Sequence, residues 1–160
     1  MALKDSFTVE EWSRLVSAPM VTAIAMTAAD PGGLWSAVRE SAAAAGAMRS
    51  AHGGSGLAAE VVGAYDAPEG RDLARGALKE QVKGKKPAEV VEAALAELAG
   101  VVAIVAAKSP AEAPAFKAWL REVARKVAEA GTEGGFLGFG GEKVSAEERA
   151  TLARLDTALA

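Results

Sequence analysis

Cysteine is absent from the chain, which excludes disulfides, thiolate nucleophiles and cysteine-held zinc. There is one histidine, His52, too few for a histidine-rich metal site. Aromatic residues make up 5% of a chain that is 51% hydrophobic, so its core has to be filled with alanine, valine and leucine rather than large rings. Charge of one sign is also missing. The 18 basic and 21 acidic residues leave a net charge of -3, with no field that would draw in a polyanion, and nucleic acid is set aside as a partner.

Long apolar runs are missing as well. The two most apolar stretches, 18–29 and 98–107, are roughly 10–12 residues long where a membrane span needs about 20, so both read as buried core helices and no transmembrane segment is expected. The opening Met1 to Thr8 has neither a basic region followed by an apolar run nor a small-residue cleavage site. A cytoplasmic location is therefore the expectation, with no cofactor implied by any motif.

At 160 residues the chain fits a single helical domain, 1–160, and a domain of this size buries about 68–70% of its unfolded surface. Phe7, Thr8 and Glu11 spell a helix start: Thr8 caps, Glu11 closes a capping box, and Phe7 staples onto Trp12. The helix beginning at Val9 carries Trp12, Leu15, Val16, Met20 and Ile24 at helical spacing, and Pro19 predicts a kink or restart near Ala18. Turn chemistry at Asp30, Pro31, Gly32 and Gly33 precedes a second helix from Leu34 to about Arg49. His52, among glycines, reads as a solvent-exposed loop residue.

Leu57, Val61, Val62 and Tyr65 mark a third helix. Asp66 is placed to cap the fourth and Pro68 to occupy its first turn. That fourth helix is expected to turn Leu73, Ala77, Leu78 and Val82 inward and to show Arg71, Arg75, Lys79 and Lys83 outward, continuing into Lys85 and Lys86. This basic face fits a phosphate ligand or a solvated helix end. From Pro87, Val90, Val91, Ala94, Leu95, Leu98, Val101, Val102 and Val105 repeat at three- and four-residue steps. The charge-free run 99–107 predicts that this fifth helix is central. A break at 109–114 leads into a sixth helix with the stripe Phe116, Trp119, Leu120, Val123 and Val127 and an ion pair from Glu122 to Lys126. Ser145 and Glu148 repeat the capping box before a terminal helix anchored by Leu152, Leu155 and Leu159. The fold class is all-α: a bundle of about six or seven helices, mainly antiparallel, around a single core, with the fifth and sixth at its centre.

Between the last two helices lies Gly131 to Ser145, which holds six of the 17 glycines and two of the four phenylalanines. A phosphate-loop reading fails, because Gly141 is followed by Glu142 rather than lysine and no strand precedes the stretch. Phe136, Leu137 and Phe139 either plug the end of the bundle or form an exposed apolar patch of the kind that marks a partner surface. The pattern of an acidic residue, two glycines and two apolar residues at Asp30 to Trp35 returns at Glu133 to Leu137, suggesting a two-fold echo around 18–49 and 120–155. Among Asp30, Tyr65, Asp66, Glu133, Glu142 and His52, nothing in the spacing brings an acid and a base together. No catalytic residue is assigned, and the balance leans against an enzyme.

The pieces Glu10-Glu11-Trp12 through Ala18-Pro19, Ala28-Ala29-Asp30, Gly135-Phe136-Leu137-Gly138-Phe139-Gly140 and Val144-Ser145-Ala146-Glu147-Glu148 resemble small bacterial helical proteins of unassigned function. More distantly they resemble the TerB-like bundles of tellurite resistance, a resemblance that implies an all-helical fold and, in cation-binding members, a dense acidic cluster that this sequence lacks. The sequence leads to an expected function as a small cytoplasmic protein-interaction or scaffold domain, a homodimer being one form. Its partner surface is expected at Gly134, Gly135, Phe136, Leu137, Gly138, Phe139 and Gly140. An alternative is a binder of a small apolar molecule or lipid within the bundle, and a weaker one is a TerB-like cation-binding stress protein.

Overall fold

The computed structural model describes residues 2–29, 44–132 and 146–160. After a short 3-10 turn at Leu3–Ser6, the helices are α1 (Val9–Ala29), a helical segment at 44–49 (α2), α3 (Leu57–Ala64), α4 (Pro68–Val82), α5 (Pro87–Lys108), α6 (Ala113–Thr132) and α7 (Ala146–Ala158). No strand occurs among the described residues, and the fold is an all-α bundle. Two ladders of side-chain bonds run antiparallel. Glu11 meets Lys108 and Arg14 meets Glu97 between α1 and α5, while Lys117 meets the Ala160 carbonyl and Arg121 meets Asp156 between α6 and the α7 end.

The start of α1 is built as its sequence requires. The Thr8 amide donates to Glu11 Oε2 at 2.7 Å, the Glu11 amide donates to Thr8 Oγ1 at 3.2 Å, and the Phe7 and Trp12 rings lie 6.4 Å apart. Pro19 does not break the helix, contrary to the sequence expectation: α1 runs unbroken from Val9 to Ala29. The proline offers no N–H to the Leu15 carbonyl and crowds the preceding turn. In that turn the Val16 carbonyl accepts a hydrogen bond from the Tyr65 hydroxyl at 2.5 Å. A tertiary partner thus serves a helix turn that proline has weakened.

The hub of the bundle is α1, a correction to the expectation that the fifth and sixth helices lie at the centre. It packs against α4, α5, α6 and α7 and also touches α3. Its residues Leu15, Val16, Ser17, Ala18, Pro19, Val21, Thr22, Ala23, Ala25 and Met26 are all buried, and the two hydroxyls are satisfied locally, Ser17 by the Ser13 carbonyl and Thr22 by the Ala18 carbonyl. On α5 the eight expected core residues, Val90 to Val105, are indeed buried, but Ala96, Ala99, Ala103, Ala106 and Ala107 are exposed. Alanine contributes little apolar area, so a charge-free alanine face can stand in water at small cost. By length and composition α5 could cross a bilayer, since its apolar character continues across Glu92 and Glu97; in the bundle it is tied to α1 through Glu97 and Lys108.

The α6 stripe Phe116, Trp119, Leu120, Val123 and Val127 is buried as expected, with the Phe116 and Trp119 rings 5.6 Å apart. Glu122 pairs with Arg125 rather than with Lys126. Leu155 and Leu159 anchor α7, and Leu152 is half-buried. Ser145 and its capping box lie outside the described residues, as do both motifs of the proposed echo, Asp30 to Trp35 and Glu133 to Leu137, and the second helix before residue 44.

Helix α4 is rotated from its expected setting. Leu73 and Val82 are 40% and 39% exposed, and the buried positions are Gly70 and Ala74. The cause is close approach: a Cβ on Gly70 would stand 2.0 Å from the Ala64 carbonyl oxygen, so only glycine allows α4 to start against the end of α3. Asp66 makes no cap for α4, although Pro68 does open it. The amino end of α3 is capped from far along the chain, by Glu112 accepting from the Leu57 amide at 2.8 Å.

Candidate functional site: an apolar cavity with a basic mouth

The rotation of α4 and the bulk-poor faces of α1 and α2 leave a space that no side chain among the described residues fills. This cavity, ≈ 520 Å³, lies between the second half of α1, α2, α3 and α4. Met20, Ala23 and Ile24 line it from α1, Ala44 and Met48 from α2, Val62 from α3, and Ala74 and Leu78 from α4. These are aliphatic or thioether surfaces, and methionine adapts readily to the shape of an occupant. Alanines at 23, 44 and 74 stand where larger residues would close the gap.

Polar residues gather at the solvent side. Arg49, His52, Asp66, Arg71 and Arg75 line the cavity and are exposed. His52 Nε2 lies 3.2 Å from Asp66 Oδ2. Arg71 Nη1 donates to the Tyr65 carbonyl at 2.7 Å and to the Asp66 carbonyl at 3.2 Å, satisfying main-chain acceptors just past the end of α3. Arg75 lies 3.4 Å from the exposed Asp72, and the Arg49 guanidinium has no hydrogen-bond or ion-pair partner among the described residues. Tyr65 also lines the cavity, and burial pushes its phenol well above the usual tyrosine range. With its proton held on the Val16 carbonyl, that phenol is no acid near neutral pH.

His52, Tyr65 and Asp66 therefore share one site, although nothing in their spacing showed it. His52 is exposed in a turn as expected, yet it borders the cavity rather than standing idle in a loop. The basic face of α4 divides: Arg71 and Arg75 belong to the cavity mouth, while Lys79, Lys83, Lys85 and Lys86 do not line it. Gly134, Gly135, Phe136, Leu137, Gly138, Phe139 and Gly140, like Asp30, Glu133 and Glu142, lie outside the described residues. The cavity was missed in the sequence although Met20, Ile24, Val62 and Leu78 were all read as apolar positions. A helical stripe names the face that turns inward but not how far the opposite helix stands from it.

Elsewhere a smaller space of ≈ 230 Å³ lies among Ser13, Arg14, Ser17, Gln81 and Glu97. Arg14 and Glu97 close much of its polar surface with a two-pronged ion pair at 2.8 and 3.1 Å. Gln81 Oε1 and Trp119 Nε1 are buried without a hydrogen-bond partner among the described residues. No group of three or more histidine, aspartate or glutamate residues is placed to hold a metal ion among the described residues. No protein-family model, curated protein or solved structure matches the chain, so the resemblance to TerB-like bundles rests on its sequence pieces alone.

Proposed function

We propose that the protein binds a small apolar molecule inside its helical bundle. The observation that carries this reading is the ≈ 520 Å³ cavity, whose inner wall is built from Met20, Ile24, Met48, Val62 and Leu78. Ligand pockets usually measure about 300–1,000 Å³ and are lined mainly by hydrophobic side chains with a few polar groups placed for orientation. The smaller space at Gln81 falls below that range and is lined largely by polar residues. The reading as a protein-interaction domain rests on the composition of 134–140, and the cation-binding reading finds no ligand cluster among the described residues. For both reasons the cavity is the preferred site.

Two measurements test the proposal. Native mass spectrometry of protein purified from its own host is expected to show a retained small organic mass that is released by organic solvent. Decanol, a neutral chain, is expected to raise the melting temperature of the stripped protein but not that of Ile24→Trp, in which the half-buried Ile24 is replaced by a ring that fills the cavity. A bare chain that decanol leaves unshifted overturns the reading.

A further inference from the structure

We propose that the ligand is a single-chain amphiphile with an anionic head, its alkyl chain in the cavity and its head at the arginine-bearing mouth. This inference rests on the reading of the cavity as a ligand site and names the ligand class. The cavity alone would take any apolar molecule of suitable size. Its mouth is selective, because among the described residues three arginines, Arg49, Arg71 and Arg75, line it against one carboxylate, Asp66. The chain as a whole carries a formal charge of -3, so this positive concentration runs against the protein's own balance.

The arginines are not equally engaged, and the difference says what each can do. Arg71 spends Nη1 on the carbonyls of Tyr65 and Asp66, which fixes its guanidinium at the rim. Arg75 leans on Asp72 at 3.4 Å, where both side chains are more than 70% exposed, a contact weak enough to be exchanged. The Arg49 guanidinium has no partner among the described residues. Unengaged guanidinium N–H groups beside an apolar cavity are what a carboxylate or phosphate head would meet, and arginine presents its donors in a fork that matches such oxygens. Of the two carboxylates near the mouth among the described residues, Asp66 is engaged by His52 at 3.2 Å, and Asp72 beside Arg75 does not line the cavity. A cationic head would meet three arginines, and a neutral head would leave them unused.

The test compares three probes of equal chain length, decanoate, decanol and decylamine, by calorimetric titration of the full chain. Decanoate is expected to bind at least ~10-fold more tightly than decanol, equivalent to about 1.4 kcal/mol, and decylamine more weakly than either. The double variant Arg49→Glu with Arg75→Glu changes two exposed side chains that hold no part of the core. It is expected to lose at least ~10-fold in decanoate affinity while keeping that for decanol. Equal affinities for decanoate and decanol, both abolished by Ile24→Trp, overturn the head-group inference and leave the cavity reading standing. Failure of all three probes to bind overturns both. Decanoate binding that survives Ile24→Trp but falls in the double variant places the anion on the surface and also refutes the proposal.

Discussion

The Tyr65 hydroxyl donates to the main-chain carbonyl of Val16, 2.5 Å away and 49 residues back along the chain, in the turn of α1 that Pro19 disrupts. Tyr65→Phe keeps the ring and removes the donor. The expected cost is about 0.5–1.5 kcal/mol, the net worth of an ordinary hydrogen bond, read as a lower urea midpoint with an unchanged slope.

Because Tyr65 is the only tyrosine, an ultraviolet titration of phenolate formation reads this residue alone. Burial raises its folded pKa above 10.0, the ordinary value for tyrosine. The resulting stabilisation is fully present below pH 10 and is lost as pH rises toward the folded value. Phenolate is expected to appear well above the normal tyrosine range, together with loss of helical circular dichroism. Ionisation of the intact fold with a normal midpoint would show that the hydroxyl is free.

Two glycines of α4 should respond in opposite senses. Gly70→Ala drives a methyl group into the Ala64 carbonyl and is expected to cost about 1–3 kcal/mol or more as the helices separate. Gly76→Ala meets nothing within 4 Å and replaces a flexible residue in a helix interior. A gain of about 0.5–1 kcal/mol is expected there. Thermal melts of the two variants beside the parent decide the matter.

Glu112 caps α3 across the fold, so Glu112→Ala should cost about 0.5–2 kcal/mol, as loss of a helix cap does. Hydrogen exchange is the sharper measurement. The amides at the start of α3 should lose protection ahead of those in α5, and uniform loss would contradict a local capping role.

Glu11 is held below the usual carboxylate range chiefly by the hydrogen bond from Lys108, with the Thr8 amide next. A lowered folded pKa gives stability that is present above the ordinary glutamate value of 4.5 and lost as pH falls through the folded value. The stability advantage of the parent over Glu11→Gln should therefore be constant near neutrality and shrink below about pH 4.5, which acid-series urea titrations will show.

Much of the helix content could be read from residues alone, because capping boxes and stripes are local signals. The α1 start at Thr8 and Glu11 and the α5 stripe from Val90 to Val105 depend on neighbours within a turn or two. The hub has a sequence signal of its own: residues 15–29 form a longer uncharged run than 99–107. Pro19 lies inside that run, and its local rule predicts a break that the packing around α1 overrides. For α4, period alone favoured Leu73 and Val82 as inward positions, whereas the contact made possible by Gly70 set the rotation. The cavity was legible only as separate stripes, since its volume depends on the distance between α1, α2 and α4.

Helix α1 precedes α4, α5, α6 and α7 in the chain, so much of what covers it is synthesised after it. Arg14 finds Glu97 across 83 residues, and Glu11 finds Lys108 across 97. During translation the surface carrying Leu15, Val16, Val21 and Met26 must therefore wait for α5, α6 and α7 to emerge. At about 5–20 residues per second that wait lasts several seconds, long enough for a nascent apolar helix to need a chaperone or a transient partner. The arrangement that buries so much of α1 in the finished bundle also leaves that surface uncovered while the later helices are still being made.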